Sequence, residues 1–221
     1  MHPDAFMRGQ REVMIRWDGV ALPGRLAVPA KAGGMVLFAH GSGSSRLSRR
    51  NNYVASVLHE AGVATLLFDL LTEEEAEDRR NVFDIDLLAT RLLLATYWIR
   101  ELSTLPRLPL GYFGASTGAA AALKASVASP DPIAAVVSRG GRPDMAAEIL
   151  DRVTAPTLLI VGGDDVGVIE LNEAAYRALQ CEKELKIVPG ATHLFEEPGA
   201  LEEVARLARE WFVAHLLSPE D

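Results

Sequence analysis

The chain has 221 residues, 49% of them hydrophobic and 24% charged, a composition that excludes general disorder and lets a single domain bury about 70% of its surface without staples. Asp plus Glu outnumber Lys plus Arg by 30 to 22, a formal charge of −8, which argues against a nucleic-acid partner because phosphate binding needs a cationic face. The one cysteine, Cys181, can build neither an internal disulfide nor a cysteine-based zinc site, no run approaches the roughly 18 apolar residues of a membrane span, and no apolar leader core opens the chain; a soluble, cytoplasmic protein with no membrane partner and one domain over residues 1–221 is expected.

Val13, Ile15 and Trp17 alternate, Asp18-Gly19 marks a tight turn, and Val20, Leu22, Leu26 and Val28 follow. This pattern predicts an antiparallel hairpin. Six short apolar runs come next, over residues 35–39, 64–68, 110–113, 134–137, 157–161 and 184–188, and suit strands buried on both faces of a parallel sheet. Helical segments are predicted over residues 49–61, 84–102, 117–128, 170–179 and 200–216, the last with Leu201, Val204, Ala208, Trp211 and His215 on one face. Strands alternating with helices predict an α/β fold with right-handed crossovers. The acidic run Glu73, Glu74, Glu75, Glu77, Asp78 reads as a solvated loop. Residues 138–156 are too few for a lid domain, so a shallow, open site is expected.

Gly114-Ala115-Ser116-Thr117-Gly118 follows a strand-like run and opens an alanine-rich helix. A nucleophile elbow needs that context: small residues permit a sharp strand-to-helix turn that lifts the serine hydroxyl clear of the sheet. A serine is a weak nucleophile until a base takes its proton. His193, just past the last strand, is the candidate base; His2 is terminal, His59 and His215 fall inside helices, and His40 ends a strand ahead of a glycine turn. Asp164 and Asp165 follow the 157–161 strand through Gly162-Gly163, at the strand end where open α/β sheets place catalytic groups. Successive side chains point to opposite sides, so one aspartate orients the histidine, and spacing selects Asp165. Each of Ser116, Asp165 and His193 follows a strand of its own. For an oxyanion, the backbone N–H groups of Thr117 and of Ser42, in His40-Gly41-Ser42-Gly43, are the candidate donors. Arg139 and Arg46 are candidates to bind a substrate carboxylate, with structural pairing to Asp69, Asp144 or a carbonyl as the alternative.

The order Ser116, Asp165, His193, together with residues 38–43, 65–71, 111–118, 138–143 and 189–194, resembles the α/β-hydrolase superfamily and, within it, the dienelactone hydrolase family over nearly the whole chain. The resemblance implies an α/β-hydrolase fold: a mostly parallel eight-stranded sheet with the N-terminal antiparallel hairpin, helices on both faces, no metal and no organic cofactor. Dienelactone hydrolases proper carry cysteine at the elbow, where this chain has Ser116. The expected function is therefore hydrolysis of small soluble carboxylic esters or related acyl compounds through an acyl-enzyme. A non-catalytic ligand-binding module, or an acyltransferase using the same three residues, are the alternatives.

Overall fold

The structure, a computed structural model, describes residues 9–217; residues 1–8, including His2, lie outside it, as do 218–221. β1 (Gln10–Trp17) and β2 (Val20–Ala27) form the hairpin. Its two-residue turn has positive φ at both Asp18 and Gly19, 47° and 79°, the geometry whose twist matches a two-residue hairpin. β3 (Gly34–Ala39), β4 (Val63–Phe68), β5 (Leu110–Ala115), β6 (Ala135–Arg139), β7 (Thr157–Gly162) and β8 (Lys183–Val188) follow. They join the hairpin in one sheet of order β1-β2-β4-β3-β5-β6-β7-β8. β2 runs antiparallel to β4, and β3 to β8 are mutually parallel.

Every residue of β3, β4, β5, β6 and β7 is buried, which is why their sequences read as continuous apolar runs. The pleat divides them between two cores. Met35, Leu37 and Tyr112 face the helices α4 (Ile85–Glu101), α5 (Thr117–Ala128) and α6 (Val166–Ala178). Val36, Phe38 and Phe113 face α1 (Arg49–Glu60) and α7 (Ala200–Leu216). On α7, Val204, Ala208 and Trp211 are buried, the stripe that the helical period marks out.

Two segments differ from the sequence expectation. α6 begins at Val166, four residues earlier than expected: Val166-Gly167-Val168 carries no helix signal, but the Asp165 carbonyl accepts the opening bonds from the Val168 and Ile169 N–H groups, each at 3.0 Å. The acidic run folds into two short helices, α2 (Glu73–Glu77) and α3 (Arg79–Val82). Thr72 and Glu75 form a reciprocal capping box, which satisfies two end amides, and Glu75 also pairs with Arg91 of α4. Residues 143–152 form a 3-10 helical stretch. No helix among the described residues is long and apolar enough to cross a membrane.

Candidate active site

β5 delivers Ser116 to the first turn of α5. The serine adopts φ 51° and ψ −120°, which costs a side-chain-bearing residue about 1–3 kcal/mol and persists where surrounding structure over-determines it. Close approach supplies that constraint. A Cβ on Gly114 would lie 2.4 Å from Ala119 Cα, and one on Gly118 would lie 2.1 Å from Ala39 O. Both glycines of the G-x-S-x-G segment are thus needed to bring α5 against β5 and against the end of β3. The Ser116 N–H donates to Arg139 O at 3.2 Å, and the Arg142 N–H donates to Ser116 O at 3.1 Å, so the loop leaving β6 clamps the elbow.

The histidine is aimed from the far side of the sheet. Gly162 ends β7, and a Cβ there would meet Ala191 O at 2.3 Å, so the loop after β8 lies directly on this strand end. The Gly163 N–H donates to Val188 O at 2.8 Å and the Asp164 N–H to Ala191 O at 3.0 Å. This lacing turns the exposed Asp164 side chain to solvent and the partly buried Asp165 side chain inward. His193 Nδ1 lies 2.7 Å from Asp165 Oδ2. A carboxylate only accepts, so Nδ1 carries the proton of this bond, and in the neutral ring Nε2 is left as a free acceptor. Gly140 joins the two halves: a Cβ there would stand 3.5 Å from His193 Cε1, one residue from the carbonyl that holds Ser116. No hydrogen bond joins Ser116 to His193 among the described residues; such bonds commonly tighten only around substrate.

Ser116 and Asp165 share a second property. Each occupies the N-cap position of its helix, and neither side chain makes a cap hydrogen bond. The other Ser, Thr and Asp N-caps among the described residues, Ser48, Thr72, Asp78 and Asp84, all do. A cap bond stabilises by about 0.5–2 kcal/mol, so both side chains are held away from a stabilising bond that their position offers. Phe195, buried with φ 54°, fixes the loop beyond His193; its role was not visible in the sequence, where it reads as one more aromatic.

The remaining candidates are placed as follows. The Thr117 N–H is one of the open first-turn donors of α5. The Ser42 N–H is engaged, donating to Thr117 Oγ1 at 3.0 Å, so the two expected oxyanion donors are neighbours but only one is free. His40 is a clasp: its Nδ1 lies 2.9 Å from Gly41 O, and its Nε2 accepts from the Leu70 N–H at 3.0 Å. Burial, only partly offset by the Gly41 carbonyl and Asp69, holds its pKa below the usual histidine value. For Arg46 and Arg139 the structure shows contacts of the structural kind that the sequence also allowed. Arg46 is neutralised by Asp69, its Nη1 2.5 Å from Oδ2. Arg139 is buried in the α1 face, with Nη2 3.4 Å from Asn51 Oδ1 and its guanidinium 5.9 Å from the Phe195 ring centroid; burial, then the charge of Arg50, lower its pKa to about 10. Strand alternation explains the placement, since Ser138 takes the opposite face. Arg142 pairs with Asp144. Among the described residues, no three His, Cys, Asp or Glu side chains converge as a metal site.

A mostly parallel eight-stranded sheet with a serine elbow after its fifth strand is the architecture of an α/β-hydrolase. A crystal structure of dienelactone hydrolase from Anabaena variabilis is 56% identical, with a TM-score of 0.91, over 94% of this chain and 99% of that one. The chain belongs to the dienelactone hydrolase family of the α/β-hydrolase superfamily. Est1E from Butyrivibrio proteoclasticus shares the fold at 19% identity, with a TM-score of 0.79 over 92% of this chain and 98% of its own. Proteins from two strains of Mycobacterium tuberculosis, provisionally named phosphoribosyl transferases, are 58% identical over 211 residues, covering 94% of this chain and 47% of theirs. The chain spans about half the length of these curated relatives, and their name describes proteins twice as long. No family model matches the sequence.

Proposed function

We propose that the chain is a serine hydrolase of small carboxylic esters. The reading is carried by the 2.7 Å bond from His193 Nδ1 to Asp165, in the loop that packs beside a backbone-strained Ser116. Ser116 Oγ attacks the ester carbonyl carbon while His193 Nε2 takes the hydroxyl proton. Asp165 holds the Nδ1–H tautomer and stabilises the imidazolium. The oxyanion accepts from the Thr117 N–H; the Ser42 N–H joins it when the Thr117 hydroxyl turns away. Collapse breaks the bond from the carbonyl carbon to the alkoxy oxygen, and the proton on Nε2 passes to the departing alcohol. Water then adds to the acyl-enzyme, giving its proton to Nε2. The second collapse breaks the bond to Ser116 Oγ, which recovers that proton as the acid leaves.

Hydrolysis of p-nitrophenyl acetate tests this. Ser116→Ala and His193→Ala should each lower kcat by about 10⁶, because the residues act as a unit. Loss of tenfold or less in either would sink the assignment.

A further inference from the structure

The short helices α2 and α3, which the sequence presents only as an acidic run, wall a cavity of about 250 Å³ beside the elbow. Its apolar lining comes from Leu70, Leu71, Ala76, Val82 and Leu88. Ser116 itself does not line it, but two of its neighbours do: Thr117 follows the serine in the chain, and Gly41 packs against it, a Cβ there lying 3.0 Å from Ser116 Cβ. Strand order decides which part of a substrate can occupy it. In the sheet, β5 stands between β3 and β4, whose exit loops build the cavity, and β7 and β8, whose loops carry Asp165 and His193. The group that His193 protonates as it leaves must therefore lie on the β7–β8 side. A carbonyl oxygen held at Thr117 then directs the opposite substituent, the acyl chain, toward β3 and β4.

We propose that this cavity is the acyl-binding pocket and that it selects a compact, uncharged acyl chain; the inference rests on the hydrolase reading above. At about 30 Å³ for each small heavy atom, the share of a water molecule in the liquid, the space accommodates about eight atoms. Its charge pattern excludes carboxylates. Neither Lys nor Arg lines it, whereas Glu73 and Asp69 do. Asp69 is already paired with Arg46, and His40 is held neutral by burial. Arg79 stands outside, over the Phe83 ring in the shallower groove that continues past Gly43. The wall is fastened, since Glu75 is bound to both Thr72 and Arg91, so filling the pocket should change selectivity without displacing Ser116.

The test is kcat/KM for p-nitrophenyl acetate, butyrate, hexanoate and decanoate, with mono-p-nitrophenyl adipate as the hexanoate analogue ending in a carboxylate. Each methylene entering the pocket should raise kcat/KM by up to about fourfold. The series should climb to hexanoate by at least tenfold over acetate and fall by decanoate, with adipate at least tenfold below hexanoate. Val82→Trp, and independently Ala76→Phe, should cut the hexanoate-to-acetate ratio at least fivefold. Turnover that depends on Ser116 but shows a flat chain-length series, a ratio unmoved by both variants, or adipate equal to hexanoate overturns the pocket and leaves the hydrolase standing. Turnover that survives Ser116→Ala, or none with any ester, removes the hydrolase reading and the pocket with it.

Discussion

Ser116 and Asp165 each give up something that their position offers. Ser116 sits at φ 51° and caps nothing; Asp165 begins α6 and spends its carboxylate on His193 instead. Strain at Ser116 should be visible in stability. Glycine adopts that backbone without the steric cost of a Cβ, so Ser116→Gly should be more stable than Ser116→Ala by about 1 kcal/mol, a rise of about 2–4 °C in Tm for a chain of this size. Thermal melts of the two inactive variants check this, and a lower Tm for the glycine variant would mean that the elbow is unstrained. The adjacent aspartates are separated by kinetics. Asp165→Asn should lower kcat by about 10³–10⁴, because the amide leaves geometry intact but no longer fixes the tautomer. Asp164→Asn, changing an exposed side chain, should cost much less. The reverse ranking would move the acid to Asp164. The other carboxylates near the site are already committed, Asp69 to Arg46 and Glu196 to Arg50.

At the scale of elements, the ends of β3 and β4 are tied through one histidine ring. His40 accepts from the Leu70 N–H only while its Nε2 is unprotonated. Its folded pKa lies below the ordinary 6.5, chiefly from burial, and His59 of α1 is shifted the same way, again chiefly by burial. A histidine lowered on folding takes up its proton more readily when unfolded, so its contribution is complete above about pH 6.5 and is lost as the pH falls below it. Tm should therefore drop between pH 7.5 and 5.5, and the drop should shrink in His40→Gln; an equal drop in both proteins would remove His40 from the pH response. The elements were legible where one physical signal dominated. Five strands, β3 to β7, announced themselves because burial on both faces leaves mostly apolar residues, whereas β8, at the sheet edge, is partly exposed and not buried on both faces as expected; α5 and α7 matched their expected limits. α2 and α3 were not legible. Each is too short to show a helical period, and their acidic surface looks like a solvated loop. The Thr72-to-Glu75 spacing of a capping box was the available signal. The same short segment walls the cavity on the 69–88 side, while residues 143–152 of the 138–156 connection form only a 3-10 stretch.

Over the whole molecule, the sheet gathers residues up to 77 positions apart, Ser116 to His193, at the C-terminal ends of parallel strands. Their placement could be read from the chain because each follows its own strand, and a parallel sheet puts all such strand ends along one edge. What the two arginines do could not be read. The contacts of Arg139 with Asn51 and of Arg46 with Asp69 depend on which face and which partner tertiary packing brings to them. The account stands or falls on whether Ser116 is a nucleophile, and covalent capture asks that with no assumption about substrate. After incubation with an alkyl fluorophosphonate, intact-mass and peptide mass spectrometry should show one phosphonyl adduct per chain, on Ser116, and none in Ser116→Ala. An unmodified parent chain, or an adduct that persists in Ser116→Ala, would contradict it.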